Sequence, residues 1–169
     1  GSVAVTGLTA GADAVALTAR STNVTDGSAD DTLDVTAGVL TISAVTGIGA
    51  AAADGDIETT VDTLIASTTT SGDIVIDETN AIILGSGGNG LATAGSDIVV
   101  VADGAITVSE EVNARSNGDV TLTATAGNVA INADVISTAL AAGSLGDGTG
   151  TIAIDAQAGA ITTDSTGTI

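Results

Sequence analysis

From residue 72 onwards, branched aliphatic residues recur at every second position in short runs. Each run is preceded by Gly or Ser and then Asp or Thr: GDIVI at 72–76, SDIVV at 96–100, GDVTL at 118–122 and GTIAI at 150–154. Ile74, Ile98, Val120 and Ile152 start the runs at intervals of 24, 22 and 32 residues. A second run follows at a nearly constant offset: Ile74 to Ile82 and Ile98 to Ile106 are 8 positions, Val120 to Val129 and Ile152 to Ile161 are 9. Alternation of this kind sends neighbouring side chains to opposite faces of a strand. It predicts an inward ladder of Ile74, Ile76, Ile98, Val100, Val120, Leu122, Ile152 and Ile154. Ile82, Ile106, Val129 and Ile161 join it from the second strands. The residues between them, Val75, Val99, Thr121 and Ala153, give a small, weakly polar outer face.

A repeat of roughly 20 to 30 residues with two or three short strands and glycine-rich corners marks a β-solenoid. The expected fold is all-β, a single-stranded parallel β-helix of roughly seven coils about 35 Å long. It forms one domain over residues 1–169, with the clearest repeats at 47–169 and less regular coils at 1–46. Corners are expected at Asp103-Gly104, Asn117-Gly118 and Asp147-Gly148, where a positive φ costs little. The long step before Ile152 implies a coil-extending loop at 136–148. In the first part, VAV at 3–5, VAL at 15–17, LDV at 33–35 and LTI at 40–42 alternate like strands, and the polar stretch 19–31 reads as a loop. The segment 50–67 has the Thr and Val content of strands despite a helix-like run of alanines.

Composition sharpens this picture. The chain has no aromatic residue and no Pro, Cys, Met or His, so its core must be thin and regular, built from Val, Ile, Leu and Ala. Formal net charge is −19, with Arg20 and Arg115 the only basic residues. Such a surface repels phosphate backbones and anionic lipid, which argues against nucleic-acid partners. No run is long and apolar enough for a membrane-spanning helix. Scarce Lys, Arg and aromatics leave trypsin-like and chymotrypsin-like proteases little to cut, which suits life outside a cell. Without lysine there are no Lys–Asn isopeptide crosslinks, and without cysteine no disulfides or thiolate sites. The closing residues TDSTGTI stop in mid-pattern, so a piece of a longer chain is expected.

The stretch GIGAAAADGDIETTVDTLIASTTTSGDIVIDETNAIILG, residues 47–85, together with GDVTLTATAGNVAINADV at 118–135, resembles repeat tracts of filamentous-haemagglutinin-like adhesins and related giant bacterial exoproteins. The resemblance covers roughly residues 47–169. It implies a right-handed parallel β-helix serving as a secreted shaft or adhesive fibre on a bacterial surface, with host-surface or matrix ligands as further partners.

Candidate chemistry is sparse. Arg115 is the one base near the repeats, and the serines have no histidine to activate them. The adjacent carboxylates of SEE at 109–111 would face opposite sides of a strand. A non-enzyme is expected. Stacked coils would align Asp73, Asp97 and Asp119 at about 5 Å, where like charges repel by about 1 kcal/mol in water and several-fold more near a protein surface. Such a column must splay into solvent or bind a hard cation, so these three are the candidate calcium ligands and calcium the one candidate cofactor. DGSADD at 26–31 and DGDIE at 54–58 are further oxygen-rich loops. A Thr-x-Thr ice-binding rank fails, since Val75, Val99 and Ala153 interrupt it.

Two functions follow as expectations. The first is a structural segment of an extracellular adhesin shaft or self-stacking filament, whose partners are adjacent repeats or identical subunits joined end to end. The second is a calcium- or carbohydrate-binding surface module on a β-sandwich.

Overall fold

Thr, Val and Ile at alternating positions favour extended backbone, and that is what the chain adopts. The structure, a computed structural model, describes residues 1–28, 31–51, 54–137, 150–164 and 166–169. Among them there is no helix, and every strand pair is parallel.

The chain winds in coils. The first holds β1 (Val3–Val5), β2 (Leu8–Thr9) and β3 (Ala14–Ala19), and the second β4 (Val24–Asp26) and β5 (Val35–Ala44). The third contains β6 (Ile57–Thr68), one long strand that pairs with three separate strands of the following coil. Then come β7 (Ile74–Glu78), β8 (Ile82–Leu84) and β9 (Leu91–Thr93), followed by β10 (Ile98–Ala102), β11 (Ile106–Val108) and β12 (Val112–Ala114). β13 (Val120–Ala124), β14 (Val129–Ile131) and β15 (Val135–Ile136) form the next coil, and β16 (Ile152–Ala156) and β17 (Ile161–Thr163) the last.

Register is continuous from end to end. Val3 pairs with Val24, Val24 with Ile48, Ile48 with Ile74, Ile74 with Ile98, Ile98 with Val120, and Val120 with Ile152. The result is a parallel β-solenoid of about five turns, a small difference from the seven coils expected. Seven rungs can be counted down this ladder, but β1–β3 and β16–β17 each pair on one side only among the described residues. The uniform parallel pairing excludes the antiparallel sandwich.

Alternation locates two of the two or three strands expected per repeat, and the coils from β7 to β15 each have the third. β9, β12 and β15 close the wall, and Leu91, Val112 and Val135 point into the bore. These strands are only two or three residues long, too short for alternation to mark them. Another correction falls at 19–31, where β4 occupies part of the expected loop. Of the loop expected at 136–148, residues 138–148 lie outside the described residues.

Ile74, Ile76, Ile82, Ile98, Val100, Ile106, Val120, Leu122 and Val129 are fully or almost fully buried. The last coil departs from the expected ladder. Ile152 and Ile154 are half-buried and Ile161 is 48% exposed, because no described strand lies beyond β16 and β17.

The corner glycines differ from expectation in their reason. Neither Gly104 nor Gly118 takes a positive φ; at the second corner Ser116 (57°) and Asn117 (75°) do so instead. What excludes a side chain is the neighbouring coil. A Cβ at Gly104 would lie 2.5 Å from the Ala81 nitrogen, and one at Gly118 would lie 2.2 Å from the Ser96 carbonyl oxygen. Gly127 and Gly159 continue the first of these columns, with the same close approach to the backbone beneath. Asp147 and Gly148 lie outside the described residues.

Candidate functional site

Asp73, Asp97 and Asp119 each stand one residue ahead of a ladder residue, so coil stacking places them in a column. The Asp97 amide donates to Asp73 Oδ1 at 3.0 Å, the Asp119 amide to Asp97 Oδ1 at 2.8 Å, and the Thr151 amide to Asp119 Oδ1 at 2.6 Å. Each carboxylate therefore accepts the backbone N–H of the coil above it. A hydrogen bond to a charged acceptor contributes about 1.5–3 kcal/mol, comparable to the like-charge repulsion it must offset. The same device recurs with a neutral side chain: Asn128 Oδ1 accepts the Ala160 amide at 2.9 Å. The column thus has a role that needs an oxygen acceptor and no cation. Its three members do not converge as ligands.

A different acidic group does converge. Oxygen atoms of Asp26, Asp34 and Glu58 lie within 4.8 Å of one another, the only such trio found among the described residues. The elements that bring them together are two insertions. From Val24 to Val35 is 11 positions and from Ile48 to Thr59 is also 11, whereas the equivalent step from Ile74 to Glu78 is 4. Two neighbouring coils thus carry seven extra residues at the same point of the wall, and these hold the DGSADD and DGDIE stretches. Where the second insertion rejoins the sheet, the Asp34 amide donates to the Glu58 carbonyl at 3.0 Å. At the other end, Ser28 donates to Asp26 Oδ1 through its amide (2.7 Å) and its hydroxyl (3.0 Å).

Asp34 and Glu58 are buried and Asp26 is half-buried. Burial pushes the Glu58 carboxyl up to about 8; a backbone hydrogen bond opposes the shift, and the Asp34 carboxyl and the charge of Asp56 add to it. Asp77, the register partner of Glu58 on the next coil, is also raised, first by burial and then by the charges of Asp56, Asp103 and Asp31.

A second buried acid serves the fold. Glu78 continues the inward alternation of Ile74 and Ile76, and stands where the next coil has Ala102. Its carboxyl accepts from the Thr59 hydroxyl (2.7 Å) and from the amides of Val61 (3.1 Å) and Asn80 (3.2 Å). Burial nevertheless dominates these bonds and raises it to about 7.

The remaining candidates are distributed singly. Glu110 Oε1 accepts the Gly88 amide at 2.8 Å, and Glu111 Oε1 accepts from Asn113 Nδ2 at 2.9 Å, so each carboxylate of SEE makes its own local bond. Arg115 is exposed and lines a shallow surface depression with both glutamates.

Compared with known proteins, the chain matches no protein-family model, no curated protein and no solved structure.

Sequence reasoning singled out the two oxygen-rich loops but not their meeting. Asp34 was hidden in the strand-like LDV, and the equal 11-residue steps become visible only once Ile48 is placed on the ladder. Glu78 had a legible signal, since period two from Ile74 and Ile76 points it inward.

Two outcomes follow. Asp97→Asn retains the acceptor and should change stability by less than about 0.5 kcal/mol, while Asp97→Ala orphans the Asp119 amide and should cost about 1–3 kcal/mol in urea unfolding. For Glu78, the folded value of about 7 lies above its ordinary 4.5, so the folded state holds the proton more tightly. Its contribution is fully present below pH 4.5 and is lost as pH rises through about 7. Thermal melts in chelator should therefore show stability falling over that window, by up to about 3 kcal/mol from this group, and Glu78→Gln should flatten that part of the profile.

Proposed function

We propose that this chain is a segment of an extracellular β-solenoid shaft, belonging to a bacterial surface adhesin or to a filament that grows by stacking coils. The observation that supports this is the unbroken register over seven rungs, with the outer coils paired on one side only among the described residues. A strand edge with free backbone groups is a template for another strand, and a solenoid end adds an open aliphatic core. At the β16–β17 end that core is represented by Ile152, Ile154 and Ile161. Further coils placed there, from adjacent repeats or from a second copy, would extend the same ladder.

The outward face supports a mechanical role over a chemical one. It presents small residues such as Thr121 and Ala153, with carboxylates that hydrogen-bond to backbone. High negative charge keeps such rods apart side by side while leaving their apolar ends free to meet. Extracellular placement draws on the scarcity of protease-sensitive residues and on the resemblance to giant exoproteins.

Negative-stain electron microscopy over a concentration series should show thin unbranched fibres, one coil wide, that lengthen with concentration. Ile161→Asp, which puts a charge on the exposed end, should shorten or abolish them without unfolding the chain. A strict monomer at the highest soluble concentration would contradict self-stacking.

A further inference from the structure

We propose that Asp26, Asp34 and Glu58 form a binding site for a hard divalent cation of the calcium class, which fastens two neighbouring coils where their insertions leave the wall. Three carboxylates from separate stretches of chain are held within 4.8 Å of one another, two of them buried. Oxygen atoms bound around calcium at about 2.3–2.6 Å can stand up to about 5 Å apart, so carboxylates this close can share such an ion. Magnesium, which demands a strict octahedral shell and usually keeps several waters, suits a cage of three carboxylates less well.

Proximity of acids alone is common, and the second observation is specific to Glu58. The residue is only 6% exposed, and its Oε2 is sealed from solvent with no hydrogen-bond donor among the described residues. A buried carboxylate oxygen normally has such a donor, as all the hydrogen bonds around Glu78 illustrate. The charges acting on Glu58, those of Asp56 and Asp34, are negative as well. A cation supplies what this oxygen lacks. Water would complete the shell.

The position gives the site a consequence. Asp26 ends β4, Asp34 precedes β5 and Glu58 lies in β6, so one ion would join both ends of the first insertion to the following coil. The seven-residue insertions interrupt the wall there, and a cation would restore the link that continuous strands supply in later coils. This site is independent of end-to-end stacking, since all its ligands come from one chain.

The test uses the full chain stripped with chelator and titrated with calcium chloride at pH 7.5, followed by calorimetry and thermal melting, with magnesium chloride as comparison. The expected result is one saturable calcium site per chain and a melting temperature that rises with calcium. Glu58→Gln and Asp34→Asn should each weaken calcium binding at least tenfold, while Asp62→Asn, an exposed acid on the same strand β6, should leave it unchanged. In chelator, Glu58→Gln should melt higher than the parent, because it removes a buried carboxylate facing another. No saturable calcium binding by the parent would overturn the proposal, as would equal binding by a folded Glu58→Gln or Asp34→Asn chain.

Discussion

In-register pairing of each coil on its predecessor is the constraint that the other features of this molecule obey. In a parallel stack, a slip of one residue would turn every inward Ile and Val to solvent and every outward Thr and Asp into the bore. Register is therefore held at several points around the coil. The aliphatic ladder from Val3 to Ile152 fixes one wall, Val15, Leu40, Leu64, Leu84, Val108 and Ile131 fix a second, and Leu91, Val112 and Val135 a third. With no aromatic side chain to fill it, the bore must stay narrow, and narrowness explains the glycines packed against the backbone of the coil beneath.

Acidity has three separate uses in this frame. At the Asp73–Asp97–Asp119 corner, carboxylates bridge coils by accepting amides, a task that Asn128 performs equally well without charge. Inside the bore, Glu78 substitutes for the alanine of later coils and satisfies a hydroxyl and two amides where the long β6 passes beneath it. At the two insertions, Asp26, Asp34 and Glu58 face one another, and Glu58 Oε2 has no donor among the described residues. Only this last arrangement calls for something from solution, and it lies where the wall is least regular.

Much of the architecture was legible in the sequence because period two is a direct record of burial. The runs starting at Ile74, Ile98 and Val120 sit where alternation placed them, and their spacing is the coil length. Strands such as Val135–Ile136 were not legible, since two residues carry no period. The polar stretch around Val24 concealed β4, whose one apolar residue stands among Asn23, Thr25 and Asp26. Ile161 fits the ladder by pattern, yet its exposure depends on what covers the last coil, a property of packing rather than of local sequence. The acidic trio needed the register itself, because Asp26 and Glu58 are 32 positions apart and meet only when two equal insertions are laid side by side.

The absence of cysteine permits a direct measurement of the coil stack, since introduced pairs can be spin-labelled without background. Ala14, Val39, Thr63, Ile83, Thr107, Ala130 and Thr162 follow one another on successive coils down a single outward column. Nitroxides at Ala14 and Thr162 are six steps apart and should lie about 29 Å from each other by electron dipolar spectroscopy, and a pair at Thr63 and Thr162, four steps apart, about 19 Å. Distances proportional to the number of coils crossed are the expected result. A separation that fails to grow between the second pair and the first would contradict the solenoid, and with it the shaft.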